Sequence, residues 1–120
     1  MLKISKNVGL TDIVSAGNPI SSQHPISGST ETIQVYLFND DATKRYESVT
    51  VNAIDTTGPD ESNWVKLSTN GTTFTDTINF AEIKDTVGHL FYVRVTTPSV
   101  ADTQNKTDIK LSVVGTEFAV

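Results

Sequence analysis

The chain contains no cysteine among its 120 residues. That excludes a disulfide framework, a thiolate metal site and a cysteine nucleophile, so stability has to come from packing and backbone hydrogen bonds, or from neighbours in an assembly. Histidine is nearly as scarce, with only His24 and His89. A hydrolytic triad needs a nucleophile, a base and an orienting acid that converge, and the usual base is histidine. Neither histidine stands beside a nucleophile-elbow motif, and both read as surface or partly buried side chains. No glycine-rich loop of phosphate-cradling spacing occurs, since Gly17, Gly28 and Gly58 are far apart. The reading is therefore of a protein that is not an enzyme and has no cofactor.

Basic residues are also few. Nine Lys and Arg stand against fourteen Asp and Glu, giving a formal charge of -5, and only Lys44 and Arg45 are adjacent. Affinity for nucleic acid comes largely from cations neutralising phosphates, so nucleic acid is not an expected partner. Long apolar runs are missing too. The opening "MLKISKNVGLTDIVSAG" has scattered apolar residues rather than a signal-peptide core, and no segment approaches the roughly 18 apolar residues of a membrane span. The expectation is a soluble protein made in the cytoplasm, with no membrane contact. In that setting the sequons at Asn70 and Asn105 carry little weight.

What the sequence does have is alternation. In "TIQVYLFN", Ile33, Val35 and Leu37 share one face; in "ESVTVNAI", Val49, Val51 and Ala53 oppose Ser48, Thr50 and Asn52. Period two marks a half-buried strand. "WVKLS" adds Val65 and Leu67, "TTFTDTINF" adds Phe74, Ile78 and Phe80, "HLFYVRVTT" adds Phe91, Val93 and Val95, and "DIKLSVV" adds Ile109, Leu111 and Val113. These runs predict about six strands after residue 30 and one more near "LKIS". Helical spacing is weak; its best case is "FAEIKDTVG", 80–88, expected to form one or two turns before Gly88. Turn-rich clusters fall at 39–46, 55–63, 69–71 and 97–106. Asn70-Gly71 predicts a two-residue type I′ hairpin turn, because both residues tolerate positive φ.

Residues 15–30, "SAGNPISSQHPISGST", stand apart. Two prolines, two glycines and six Ser or Thr cannot build a core or a central strand. The segment reads as an extended arm or long loop that either docks on a neighbouring subunit or folds back over an edge strand of its own domain. Two parts follow: 1–30, an N-terminal strand and arm, and 31–120, a β-sandwich.

The carboxylate clusters Asp40-Asp41 and Asp60-Glu61 are the candidates for a cation site. "NDDATKRYE" lacks the glycine and terminal spacing of an EF-hand loop, and "DTTGPDES" is closer to a calcium-supporting β-loop; solvated turn carboxylates are the rule, and no metal site is assigned. Trp64, Tyr36, Tyr46 and Tyr92 could make a sugar platform, although Trp64 fits a core or interface position better.

Taken in order, "NPISSQHPISG", "YLFNDDATKRYESVTV", "DESNWVKLSTNGTTF", "FYVRVTTP" and "DIKLSVVGTEFAV" resemble small β-sandwich structural proteins of tailed-bacteriophage particles, from about residue 17 onward. The resemblance implies an all-β fold, an immunoglobulin-like antiparallel sandwich with an N-terminal arm. It also implies a virion component, either a capsid decoration or cement protein or a neck or tail accessory. The implied partners are the major capsid protein or other virion proteins, with a homo-oligomer such as a trimer as a further option. Interface energy tends to concentrate in few residues. The expected partner-binding residues are Pro19, Ile20, His24, Pro25 and Ile26 in the arm, whose apolar groups have no partner strand in sequence, followed by Lys44, Arg45 and Tyr46. A carbohydrate- or cell-surface-binding module is the alternative.

Overall fold

The computed structural model describes residues 1–15, 17–18, 20–24, 27–54, 64–96 and 104–120, with backbone alone at 21–24, 54 and 104–110. It is all-β. The strands are β1 (Leu2–Ser5), β2 (Ile20–His24), β3 (Thr30–Asn39), β4 (Lys44–Ile54), β5 (Val65–Ser68), β6 (Thr77–Ile83), β7 (His89–Thr96) and β8 (Gln104–Ala119). They form two four-stranded antiparallel sheets, in the orders β1-β3-β7-β5 and β2-β8-β4-β6, packed as a β-sandwich.

The alternating residues fill the space between the sheets. Ile4, Val35, Leu37, Val65, Leu67, Phe91, Val93 and Val95 come from the first sheet and Ile20, Tyr46, Val49, Val51, Ile78 and Ile83 from the second, all buried in one cluster. Each large side chain so buried contributes about 1.5–3 kcal/mol of transfer free energy. Trp64 packs half-buried against this cluster, as do Leu111 and Val113.

Two expectations are corrected, and the arm follows the second of its two readings, onto its own domain. It joins the sheet rather than covering an edge: Ile20–His24 is an edge strand of the second sheet, pairing with β8 at Ile20–Ile109 and His24–Gln104. Its Ile20 is buried in the chain's own core, so the first thirty residues contribute one strand to each sheet. The stretch 80–88 is not helical. Residues 80–83 end β6, and the rest is a bend leading to β7.

The Asn70-Gly71 connection is a hairpin loop, but a wider one than type I′. The flanking pair is Leu67–Thr75, with N–H···O distances of 2.7 and 2.8 Å. Gly71 alone takes positive φ, at 79°, while Asn70 does not. Asn70 is used instead through its side chain: Oδ1 accepts from the N–H groups of Thr72 (2.9 Å) and Thr73 (3.0 Å), and the buried Ser68 Oγ accepts from Gly71 N–H at 2.9 Å. Side-chain oxygens standing in for backbone partners favour the longer loop.

The register of the second sheet slips in the middle of β4. Glu47 pairs with Thr116 and Thr50 with Val114, so Ser48 and Val49 together oppose Gly115. This is a β-bulge. Ser48 sits at φ 52°, an uncommon conformation for a residue with a side chain. A Cβ on Gly115 would lie 3.0 Å from Val49 Cγ2; the glycine admits the bulged strand. The extra residue reverses the facing of β4, so Tyr46 and Val49, three apart, both point inward.

Candidate interaction surface

The predicted cationic site lies at the tip joining β3 to β4. Asn39 ends β3 fully buried, a place a polar side chain holds only if it is satisfied. Its Nδ2 donates to the carbonyls of Asp41 (2.9 Å) and Lys44 (2.7 Å), and its Oδ1 accepts from Asp41 N–H at 3.0 Å. Asp41 accepts from the hydroxyl (2.6 Å) and N–H (2.9 Å) of Thr43, and these two bonds, the hydroxyl first, lower its pKa. Asp40 meets the N-terminal amine at 2.8 Å and Lys3 Nζ at 2.9 Å. Those partners, the amine first, hold its carboxyl at about 2. The tip is therefore fixed by side chains as well as by backbone.

Leaving the tip, β4 alternates. Lys44 is half-buried and carries no ion pair among the described residues. Arg45 faces outward, its guanidinium 4.4 Å from the ring centre of Phe118 on the neighbouring strand, with Glu47 at 2.5 Å and Glu82 at 4.0 Å. Tyr46 turns inward and is buried, which removes it from the displayed surface; its hydroxyl donates to Glu117 Oε1 at 2.8 Å. Burial first, and then the Glu117 carboxylate, push the phenol up to about 12. Arg45 is thus displayed on the outer face beside Phe118, while Lys44, opposite Ala119, shares the face of Tyr46 at the start of the strand.

The arm residues are not gathered there. Ile20 is in the core, and the backbone of His24 pairs with Gln104 at the far end of β2. Pro19, Pro25 and Ile26 lie outside the described residues, as does the candidate calcium loop at 55–63. Among the described residues no group of three or more His, Asp or Glu could hold a metal ion. His89 stacks edge-on against Phe80 at 6.1 Å, with Asp85 3.5 Å from its Nε2, too far for a hydrogen bond.

The outer face of the first sheet holds features that sequence reasoning did not assemble. Tyr36 stands opposite Leu90, Gln34 opposite Tyr92 and Thr32 opposite Arg94, and the Arg94 guanidinium lies 4.1 Å from the ring centre of Phe74. Phe74, assigned by alternation to a strand, serves instead as a platform for a cation. Also missed were Ser5, Asn39 and Ser68, the buried polar side chains that organise turns. Their signal was a Ser or Asn at the last position of an apolar strand. The chain was compared with protein families, with curated proteins and with solved structures, and no match was found in any of the three.

Proposed function

We propose that the chain is a structural protein of a tailed-bacteriophage particle, a capsid decoration or cement protein that binds the assembled shell through protein–protein contacts and is carried in the virion. The observation that best supports this reading is the fixed β3–β4 tip. A hydrogen-bonded turn that holds Lys44 at its exit, with Arg45 next to it on the outer face of β4, needs no further ordering and loses little entropy when a partner covers it. An elongated sandwich, 52 Å by 25 Å by 25 Å, has room for contacts at both ends. A protein that binds the assembled shell and not its separated subunits stabilises the shell by mass action, and repeated copies multiply a modest contact. The arm contributes mainly by completing the second sheet, leaving the tip as the first candidate for contact.

Cosedimentation with undecorated heads, and separately with tail assemblies, tests the reading. Saturable binding to heads is expected, weakened at least about tenfold by Lys44→Glu with Arg45→Glu, a loss of about 1.4 kcal/mol. Deleting residues 15–30 is the wrong probe, because it removes β2 and the buried Ile20. Binding to tails alone would make the protein a neck or tail accessory, and binding to neither would overturn the particle role. A second reading, a carbohydrate-binding module, is favoured by the Tyr36, Leu90 and Tyr92 face beside the Arg94–Phe74 stack. A blank glycan array would count against it.

A further inference from the structure

Among the described residues, strand β8 is paired along one edge for part of its length and along the other edge for the rest. On one edge β4 accompanies it from Lys110 to Ala119; on the other, β2 accompanies it from Gln104 to Ile109 and then stops. Beyond Ile109 that second edge has no flanking strand among the described residues. Such an edge presents backbone N–H and C=O groups to any extended chain. Natural sheets blunt edges with prolines, charges or bulges. From Leu111 to Val120 there is no proline and only one charge, Glu117, and the extra residue of the nearby bulge belongs to β4. Val114, Phe118 and Val120 are 64%, 36% and 77% exposed along the same stretch.

We infer that residues 112–120 of β8 form a homodimer seam, pairing antiparallel with the same residues of a second copy about a two-fold axis at Thr116. The occupant follows from self-complementarity. Directly opposed residues of an antiparallel pair share a face, so the two-fold must lie at a residue that opposes itself. At Thr116, Val114 opposes Phe118 of the second copy, Ser112 opposes Val120, Val113 opposes Ala119, and Glu117 opposes Gly115. Exposed apolar side chains meet each other, an aromatic meets a β-branched residue, and no like charges are opposed. Moving the axis to Val114 would set Glu117 against Leu111, and moving it to Gly115 would set Glu117 against Val113, burdening an apolar position with a carboxylate in either case. An isologous contact of this kind closes on itself and goes no further. The inference rests on strand register and is independent of the particle reading.

Light scattering and sedimentation equilibrium on the full chain, from micromolar to several hundred micromolar, should show a dimer that strengthens with salt, because each copy carries a formal charge of -5. The Thr116 side chain is exposed and stands opposite Glu47 on β4, so a denaturant curve on each variant separates any effect on the fold from the effect on association. Thr116→Lys and Thr116→Glu, each alone, should weaken association at least about tenfold by setting like charges face to face at the axis, whereas an equimolar mixture of the two should associate again. Opposed Cα atoms of an antiparallel pair are about 4.5–5.5 Å apart, within disulfide range. In this cysteine-free chain, Thr116→Cys should therefore cross-link on mild oxidation much faster than Thr72→Cys in the exposed turn. A monomer at every concentration, a dimer indifferent to charge at Thr116, or equal cross-linking rates would overturn the inference.

Discussion

The two sheets solve the same problem differently. The first keeps one register through every pairing, from Leu2–Asn39 across Thr30–Thr96 to Val65–Val95. The second slips twice, between Ile20 and Ser22 in β2 and between Glu47 and Thr50 in β4. The reason is length. β8 has 16 residues, about 50 Å of strand at 3.3 Å per residue, and a strand that long has to twist and bend to stay on a compact core. The regular sheet supplies the largest of the fully buried side chains, Phe91, with Leu37 and Leu67 beside it, while the irregular sheet adds Ile20, Val49, Val51 and Ile83. The irregular sheet displays Arg45, Val114 and Phe118 on its outer face.

If the regular sheet carries the stability, Phe91→Ala should have the largest effect of those considered, about 3–5 kcal/mol in denaturant unfolding. Leu111→Ala, on a half-buried position of the second sheet, should cost less than about 2 kcal/mol. Equal losses would dissolve the distinction between the sheets.

The bulge sharpens the comparison further. Gly115→Val would press a branched side chain against Val49, which is fully buried and stiff at χ1, so a loss of about 1–3 kcal/mol is expected. Ser48→Gly should act in the opposite direction, gaining up to about 1 kcal/mol because glycine adopts positive φ without steric cost. A thermal melt of each variant reads both signs.

The smallest effect is at high pH. The folded-state pKa of Tyr46 is raised to about 12, against an ordinary value near 10. Its contribution to stability is therefore fully present below pH about 10 and is lost as pH rises through about 12. Tyr46→Phe should unfold with a flatter pH dependence across that window, and should be about 1 kcal/mol less stable at pH 7 through the missing bond to Glu117.

The regular sheet was also the legible one. Val35 with Leu37, and Phe91 with Val93 and Val95, alternate without interruption, and period two reports them directly. Where register slips, alternation misleads. Phe80 opposes Val49 and Ile83 opposes Tyr46 on either side of the bulge, so two inward residues fall three apart and imitate a helix. β2 was invisible for another reason: in a run of serines, one buried isoleucine makes no pattern, and the strand exists because β8 offers an edge to pair with. At the tip, the adjacency of Lys44, Arg45 and Tyr46 suggested a shared surface. The alternation of β4 sets Lys44 and Tyr46 on one face and Arg45 on the other, and the anchoring by Asn39 depends on contacts that spacing alone does not reveal.

The position of β8 between β2 and β4 also orders the folding reaction. All four strands of the first sheet precede residue 97 in the chain, so that sheet can assemble while β8 is still unpaired. Without β8, the second sheet has only the β4–β6 pair, and β2 has no neighbour at all. Joining β4 to β8 pairs residues as far apart as Lys44 and Ala119 and no closer in sequence than Ile54 and Lys110, the kind of long-range pairing whose loop-closure entropy makes folding slow. Refolding should therefore show an early phase that buries Trp64 against the regular sheet and a late one in which a single strand locks three others into place.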